Sequence, residues 1–216
     1  MDDGSGERYS QIFQTVLPCA KVISYTPNRG KGAALKAGLE YAQHVAAPDD
    51  VVVTADADGQ HRPEDIEKTV RAAQAEPSAL TLGSRAFMGK APLKSRVGNG
   101  ITRMVFSAIA RRRGRDTQTG LRAFSCAMIP FMLGVHGERY EYKMNVLLAC
   151  ARRNIPIREV EIETVYIDGN ASSHFHPVRD AWRIYREIFA FAASSFAGFL
   201  TDYGLFSLLS ALLGCI

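Results

Sequence analysis

VVVTADADGQHRPEDI, residues 51–66, decides how the rest of the chain is read. Three valines and a threonine lead into Asp56 and Asp58, one residue apart; Gly59, Gln60, His61 and Pro63 follow. A short apolar run of this kind reads as a strand covered on both faces, as inside a parallel sheet. Pro63 at a first helical position, with Glu64 and Asp65 in the first turn, marks the start of a helix. Strand, turn and helix together put both carboxylates at the carboxyl end of a strand, where open α/β sheets bind their ligands.

The flanking segments extend this pattern. AKVISYT (20–26) reads as a strand and PNRGKG as a turn. AALKAGLEYAQHVA (33–46) is a helix whose apolar stripe is Leu35, Leu39, Ala42 and Val45. After the helix begun at Pro63, with stripe Ile66, Val70 and Ala73, ALTLGS (79–84) is a third strand leading into Arg85. This alternation predicts βαβ units and a parallel sheet. Further on, Val97, Ile101, Met104, Val105 and Ala108 have helical spacing, TQTGLRAFS is a loop running into a strand, EYKMNVLLACARRN is a helix and IREVEIETVYI a strand. There is no internal repeat.

Composition sets outer limits. A chain of 216 residues, 47% hydrophobic and 22% charged, holds one domain with a core, or one domain and an appendage. The net charge of +4, partly local to Arg111, Arg112, Arg113 and Arg115, does not argue for a nucleic-acid partner. Cys19, Cys126, Cys150 and Cys215 form no CxxC pair and read as reduced cytosolic thiols. The five histidines have no metal-ligand spacing, no Ser-His-Asp or Cys-His arrangement is legible, and the polar opening MDDGSGERYS is not a signal peptide.

The tail differs from the rest. PVRDAWRIYREIFAF sets Trp182, Tyr185, Ile188 and Phe189 against Arg179, Arg183 and Arg186, which suits a helix at a membrane surface or one docked on protein. From Phe189 to Ile216 the only charged residue is Asp202. About 20 apolar residues suffice to span a bilayer, and a carboxylate at its centre costs about 2.5–3.5 kcal/mol. Membrane attachment is the favoured expectation over a buried terminal helix.

Chemistry is concentrated at the strand ends. Asp56 and Asp58, with Gln60 as a third oxygen donor, suit Mg²⁺ or Mn²⁺ and leave coordination positions for substrate phosphates; the competing reading is a plain strand-ending turn. NRGKGAAL sets Lys31 and backbone N–H groups at the start of a helix, without Walker A spacing, and reads equally as an anion site or an ordinary turn. DTQTGLRAF brings Asp116, Gln118 and Arg122 into one loop, with Arg122 a phosphate clamp or a surface ion pair.

In order, DDGS, NRGKGAALKAGL, VVVTADADGQH-P, LGSR, D-QTGLRAF and YEYKMNVLL resemble family 2 glycosyltransferases, above all the branch making polyprenyl-phosphate sugars, which includes dolichyl-phosphate mannose synthase. The resemblance covers nearly the whole chain. It implies an α/β GT-A (Rossmann-like) fold, a mostly parallel sheet flanked by helices, over 1–175. The tail resembles the junction to a fused GtrA-type membrane domain, with an amphipathic juxtamembrane helix over 176–190 and a first transmembrane helix over 191–216. The family's first strand, its P-x-Y-N-E segment and the following helix have no counterpart here, so the expectation is an N-terminally truncated fold whose chain alone is poorly soluble and nearly inactive.

The implied reaction is inverting, metal-dependent transfer of glucose or mannose from a nucleotide diphosphate sugar (UDP-glucose or GDP-mannose class) to a polyprenyl phosphate, undecaprenyl or dolichyl, at the cytoplasmic face of the cell membrane. By resemblance Asp3 and Lys31 contact the nucleotide; Asp56, Asp58 and Gln60 form the metal and diphosphate site; Arg85 and Arg122 meet phosphate or acceptor; and Gln118 lies on the acceptor side. Asp58, Arg85, Gln118 and Arg122 are the expected catalytic set. Where relatives often carry SK, this chain has Ser172, Ser173 and His174. Two alternatives stand beside this: a polysaccharide-extending transferase with Glu141 or Asp116 as base, and an inactive nucleotide-sugar-binding remnant.

Overall fold

The computed structural model describes residues 1–85, 119–163 and 177–213. The chain divides into two compact units, Met1–Phe175 and His176–Ile216. In the first, β1 (Asp2–Asp3), a 3₁₀ turn (Glu7–Tyr9), α1 (Ser10–Val16), β2 (Ser24–Tyr25), α2 (Lys31–Val45), β3 (Val51–Thr54), α3 (Pro63–Ala75) and β4 (Leu80–Arg85) precede the undescribed stretch. After it come β5 (Arg122–Ser125), a 3₁₀ turn (Cys126–Met128), α4 (Ile129–Leu133), α5 (Glu141–Arg152) and β6 (Ile157–Ile162).

The strands form a parallel pair, β1–β2, and a separate four-stranded sheet in the order β3-β5-β4-β6. β4 and β6 run parallel, Leu80 opposite Ile157 through Arg85 opposite Ile162. β5 lies antiparallel to both its neighbours, with Arg122 opposite Thr54 on one side and Leu82 on the other. The expected mostly parallel sheet is therefore corrected to a mixed one. Apolar alternation identifies β5 as a strand but carries no information on direction. The reversal has a consequence for the site: the amino end of β5 lies beside the carboxyl ends of β3 and β4.

The core lies between this sheet and the helices α2, α4 and α5. Leu39, Leu80, Leu82, Phe124, Val146 and Leu147 are all buried in it. Each such side chain contributes about 1.5–3 kcal/mol by leaving water. Three sequence expectations shift here. Among the described residues β3 is an edge strand with Val53 37% exposed, not a strand covered on both faces. On α3 the buried positions are Asp65, Thr69 and Ala73 rather than the stripe centred on Ile66 and Val70. Asp65 is buried because its carboxylate accepts the Glu163 N–H from the end of β6 (3.2 Å). Val45, expected in the stripe of α2, is 64% exposed at the helix end. The helix expected over 97–108 lies outside the described residues.

The second unit is a single helix, α6 (Pro177–Leu213). It runs unbroken through the boundary expected at 190/191. Among the described residues no helix is long and apolar enough to cross a membrane, so the transmembrane helix expected over 191–216 is not supported; Asp202 interrupts the apolar run. Phe189, Phe196, Phe199, Tyr203 and Phe206 recur at helical spacing and are all exposed. The rings of Phe196, Phe199 and Tyr203 stack in series, with centroids 6.5 and 6.1 Å apart.

Candidate active site

Asp56 is the meeting point of four elements. It follows β3, and its side chain is 24% exposed. Lys31, the first residue of α2, places Nζ 2.7 Å from Oδ1. Lys143 reaches up from α5 and donates to both carboxylate oxygens at 3.4 Å. The fourth element is the run into β5: a Cβ on Gly120 would lie 2.2 Å from the Asp56 carboxyl carbon, so only glycine leaves room for the carboxylate. Thr54 holds this run by donating its hydroxyl to the Gly120 carbonyl (3.2 Å).

The turn before α2 is built by packing. Asp3 accepts the backbone N–H groups of Arg29 (2.8 Å) and Gly30 (2.9 and 3.1 Å). Its carboxylate thus ties β1 to the turn, where the resemblance implied a nucleotide contact. Gly30 has φ +107°, and a Cβ at Gly30 or Gly32 would strike the Glu138–Tyr142 segment. Ala33 N–H donates to the Glu138 carbonyl at 2.8 Å. The two glycines therefore let the turn dock on the start of α5 and aim Lys31 at Asp56.

Arg122 is 4% exposed. Its guanidinium donates to the carbonyls of Thr119 (3.3 Å) and Lys143 (3.0 Å). It lies beneath the site, is buried rather than on the surface, and fixes the backbone that carries Lys143. Asp58 is exposed, and its Oδ1 accepts the Gln60 N–H at 3.1 Å, an Asx turn. Arg85 ends β4 beside Ile162; its side chain, like all of Gln118, Asp116 and His174, lies outside the described residues. Glu141 braces the turn ahead of its helix: its Oε1 accepts the N–H groups of Glu138 and Arg139 at 3.2 and 3.1 Å, while its buried Oε2 has no hydrogen-bond partner among the described residues. The structure thus brings Lys31 and Asp56 together, and it adds Lys143, which sequence reasoning missed. The available signal was a lysine inside the apolar run YKMNVLL, since lysines are almost never fully buried without a partner.

Electrostatics follow from this packing. Burial alone would raise the Asp56 carboxyl, but Lys143 and Lys31 outweigh it and bring it from 3.8 to about 2. Burial first, and then Lys31, push the Lys143 ammonium well below the ordinary lysine value, with Asp56 opposing. A carboxyl depressed on folding adds stability above its unfolded value, and that stability is lost as pH falls through the folded value. Asp56 is accordingly expected to contribute about 2 kcal/mol at neutral pH, lost between about pH 4 and pH 2. Urea unfolding of the native chain and of Asp56→Asn at pH 6 and at pH 2.5 checks this: the difference in stability shrinks at the lower pH, and a constant difference contradicts it.

A hard divalent cation would meet oxygen donors alone: the Asp56 carboxylate, Asp58 and the Gln60 side-chain carbonyl. Among the described residues no three acidic, histidine or cysteine side chains cluster closely enough to cage a metal by themselves. That donor set fits a cation completed by substrate phosphates, the usual habit of Mg²⁺ and similar ions.

The comparisons with known proteins agree with this picture. The family model for glycosyl transferase family 2 matches residues 1–133. A UDP-N-acetylglucosamine–dolichyl-phosphate N-acetylglucosaminyltransferase of Methanococcus voltae is 34% identical over 152 residues, covering 68% of this chain and 59% of the relative. Dolichyl-phosphate β-glucosyltransferase of Saccharomyces cerevisiae is 26% identical, covering 79% of this chain and 57% of the relative. The chain thus spans under two thirds of the length of these two relatives. Among solved structures, glucosyl-3-phosphoglycerate synthase of Mycobacterium tuberculosis with phosphoglyceric acid superposes with TM-score 0.62 at 18% identity, over 88% of this chain and 66% of that one. The same enzyme with Mn²⁺, UDP-glucose and glycerol 3-phosphate gives 0.54 at 16% identity, over 84% and 58%. These structures share the mixed α/β, GT-A-like fold. With the family model covering well over half of its length, the chain belongs to glycosyltransferase family 2.

Proposed function

We propose that this chain carries the catalytic domain of an inverting transferase that moves a hexose from a UDP-sugar to a polyprenyl phosphate at the cytoplasmic face of the cell membrane. The observation that carries this reading is the cationic cluster of Lys31 and Lys143 around Asp56, at the carboxyl edge of the sheet, over the buried Arg122. Lys31, Lys143 and Arg122 outnumber the carboxylates of Asp56 and Asp58, which leaves a positive site suited to a diphosphate. The named relatives act on dolichyl phosphate, and the structural neighbour was solved with UDP-glucose and Mn²⁺, which supports a uridine donor and a divalent cation.

The reaction asks little proton chemistry of the protein. An acceptor phosphate oxygen attacks the anomeric carbon, the bond to the donor's β-phosphate oxygen breaks, and the electron pair leaves with UDP. The acceptor is already an anion at neutral pH, so no general base is required. A divalent cation held by Asp56, with Asp58 and Gln60, would neutralise charge developing on the departing diphosphate. Lys31 supplies positive charge on the same side. The exposed aromatic face of α6 suits a helix lying on the membrane surface, which would concentrate the domain near a lipid-borne acceptor.

The test is transfer by the full chain from labelled UDP-glucose, UDP-N-acetylglucosamine or GDP-mannose to undecaprenyl phosphate in detergent. Label from a UDP-sugar should enter the organic phase. Label that stays with water-soluble glycan, or moves only from GDP-mannose, contradicts the proposal.

A further inference from the structure

Lys143 lies in the YEYKMNVLL motif but is assigned no role by the resemblance, yet it is the more deeply buried of the two lysines on Asp56. It is 6% exposed, on a helix whose neighbouring residues Tyr142, Met144, Val146 and Leu147 are core. Its carbonyl is pinned by Arg122, and its ammonium lies at 3.4 Å from both oxygens of Asp56. Lys31 takes Oδ1 at 2.7 Å as well. The carboxylate that would coordinate a metal therefore already has a cation on each oxygen, supplied by the protein. A divalent ion needs the same lone pairs.

We infer that Lys143 is a positioning residue that orients Asp56 in the metal-free protein and competes with a divalent cation for it. This rests on the metal reading of Asp56 proposed above. Among the described residues Lys143 has no second carboxylate as a hydrogen-bond partner, and burial leaves it little water, so it stays at Asp56 rather than swinging away. Its charge weakens binding of a free cation. A nucleoside diphosphate arriving with the cation brings negative charge of its own, which would satisfy the two lysines as Asp56 turns to the metal. Lys143 in this way couples metal binding to donor binding.

The experiment is direct Mn²⁺ binding to the full chain, without nucleotide, by electron paramagnetic resonance of free Mn²⁺. Lys143→Met removes the charge and keeps the apolar stem. Its Kd for Mn²⁺ should fall by about five- to tenfold, as expected for deleting one like charge at close range. Lys143→Gln, a second neutral variant, should shift the same way, and Lys143→Arg should stay within about twofold of the native chain. Neutral variants that bind Mn²⁺ no tighter than the native chain overturn the inference while leaving the metal site standing. A native chain that binds no Mn²⁺, with Lys143→Met also binding none, overturns both; transfer to lipid is scored separately and needs no part of this result.

Discussion

Asp56→Asn is expected to cut sugar transfer by about a hundred- to a thousandfold or more, the scale of removing one preorganised electrostatic partner from a transition state. The variant loses the one carboxylate on which Lys31 and Lys143 converge. Because Lys143 stays buried, it also loses the charge that favoured its ammonium form. Stability at neutral pH should fall by about 2 kcal/mol, following the depression of the Asp56 carboxyl to about 2. Adding Lys143→Met to Asp56→Asn should recover part of that stability and none of the activity. Denaturant midpoints and initial rates separate the two effects. A variant that retains transfer would remove Asp56 from the chemistry, and one that loses activity only in proportion to unfolded protein would make it merely structural.

Gly120→Ala should be nearly as damaging for a different reason. The new methyl would sit 2.2–2.3 Å from the carboxyl atoms of Asp56, far inside contact distance. Gly120 is buried and its carbonyl is held by Thr54, so the backbone has little room to yield. The carboxylate must turn away from the lysines. Overpacking of this kind costs about 1–3 kcal/mol. Transfer should fall toward the level of Asp56→Asn, since the ligand is displaced although it is still present. Combining the two substitutions should then add little further loss of rate, because both remove the same carboxylate. Independent, multiplying losses would contradict the contact between Gly120 and Asp56.

Much of this site was legible from local pattern. The apolar run 51–54, the Pro63 start of α3 and the Gly-Lys-Gly turn are short-range signals, and they correctly put Asp56 at a strand end and Lys31 at a helix start. The missing parts depend on contacts between distant segments. Strand direction is invisible to alternation, so β5 was identified as a strand while its antiparallel insertion was not; that insertion is what brings Gly120 to Asp56. Arg122 sits in a polar loop motif that suggested a phosphate clamp or a surface ion pair, yet the insertion of β5 between β3 and β4 buries it. Asp3 proved to be a backbone acceptor because the turn it anchors lies at residues 29 and 30. Lys143 was passed over as one polar position in a helix; its carboxylate partner lies 87 residues away in sequence. Composition made the tail look membrane-spanning, whereas it forms one helix with Asp202 inside it.

The most direct test of the central claim is a crystal structure of the full chain with UDP and Mn²⁺, with data collected for the anomalous signal of manganese. The account predicts a manganese peak at the Asp56 carboxylate, with the UDP diphosphate beside Lys31 and Lys143. A manganese and diphosphate site elsewhere, with Asp56 still held by both lysines, would contradict it.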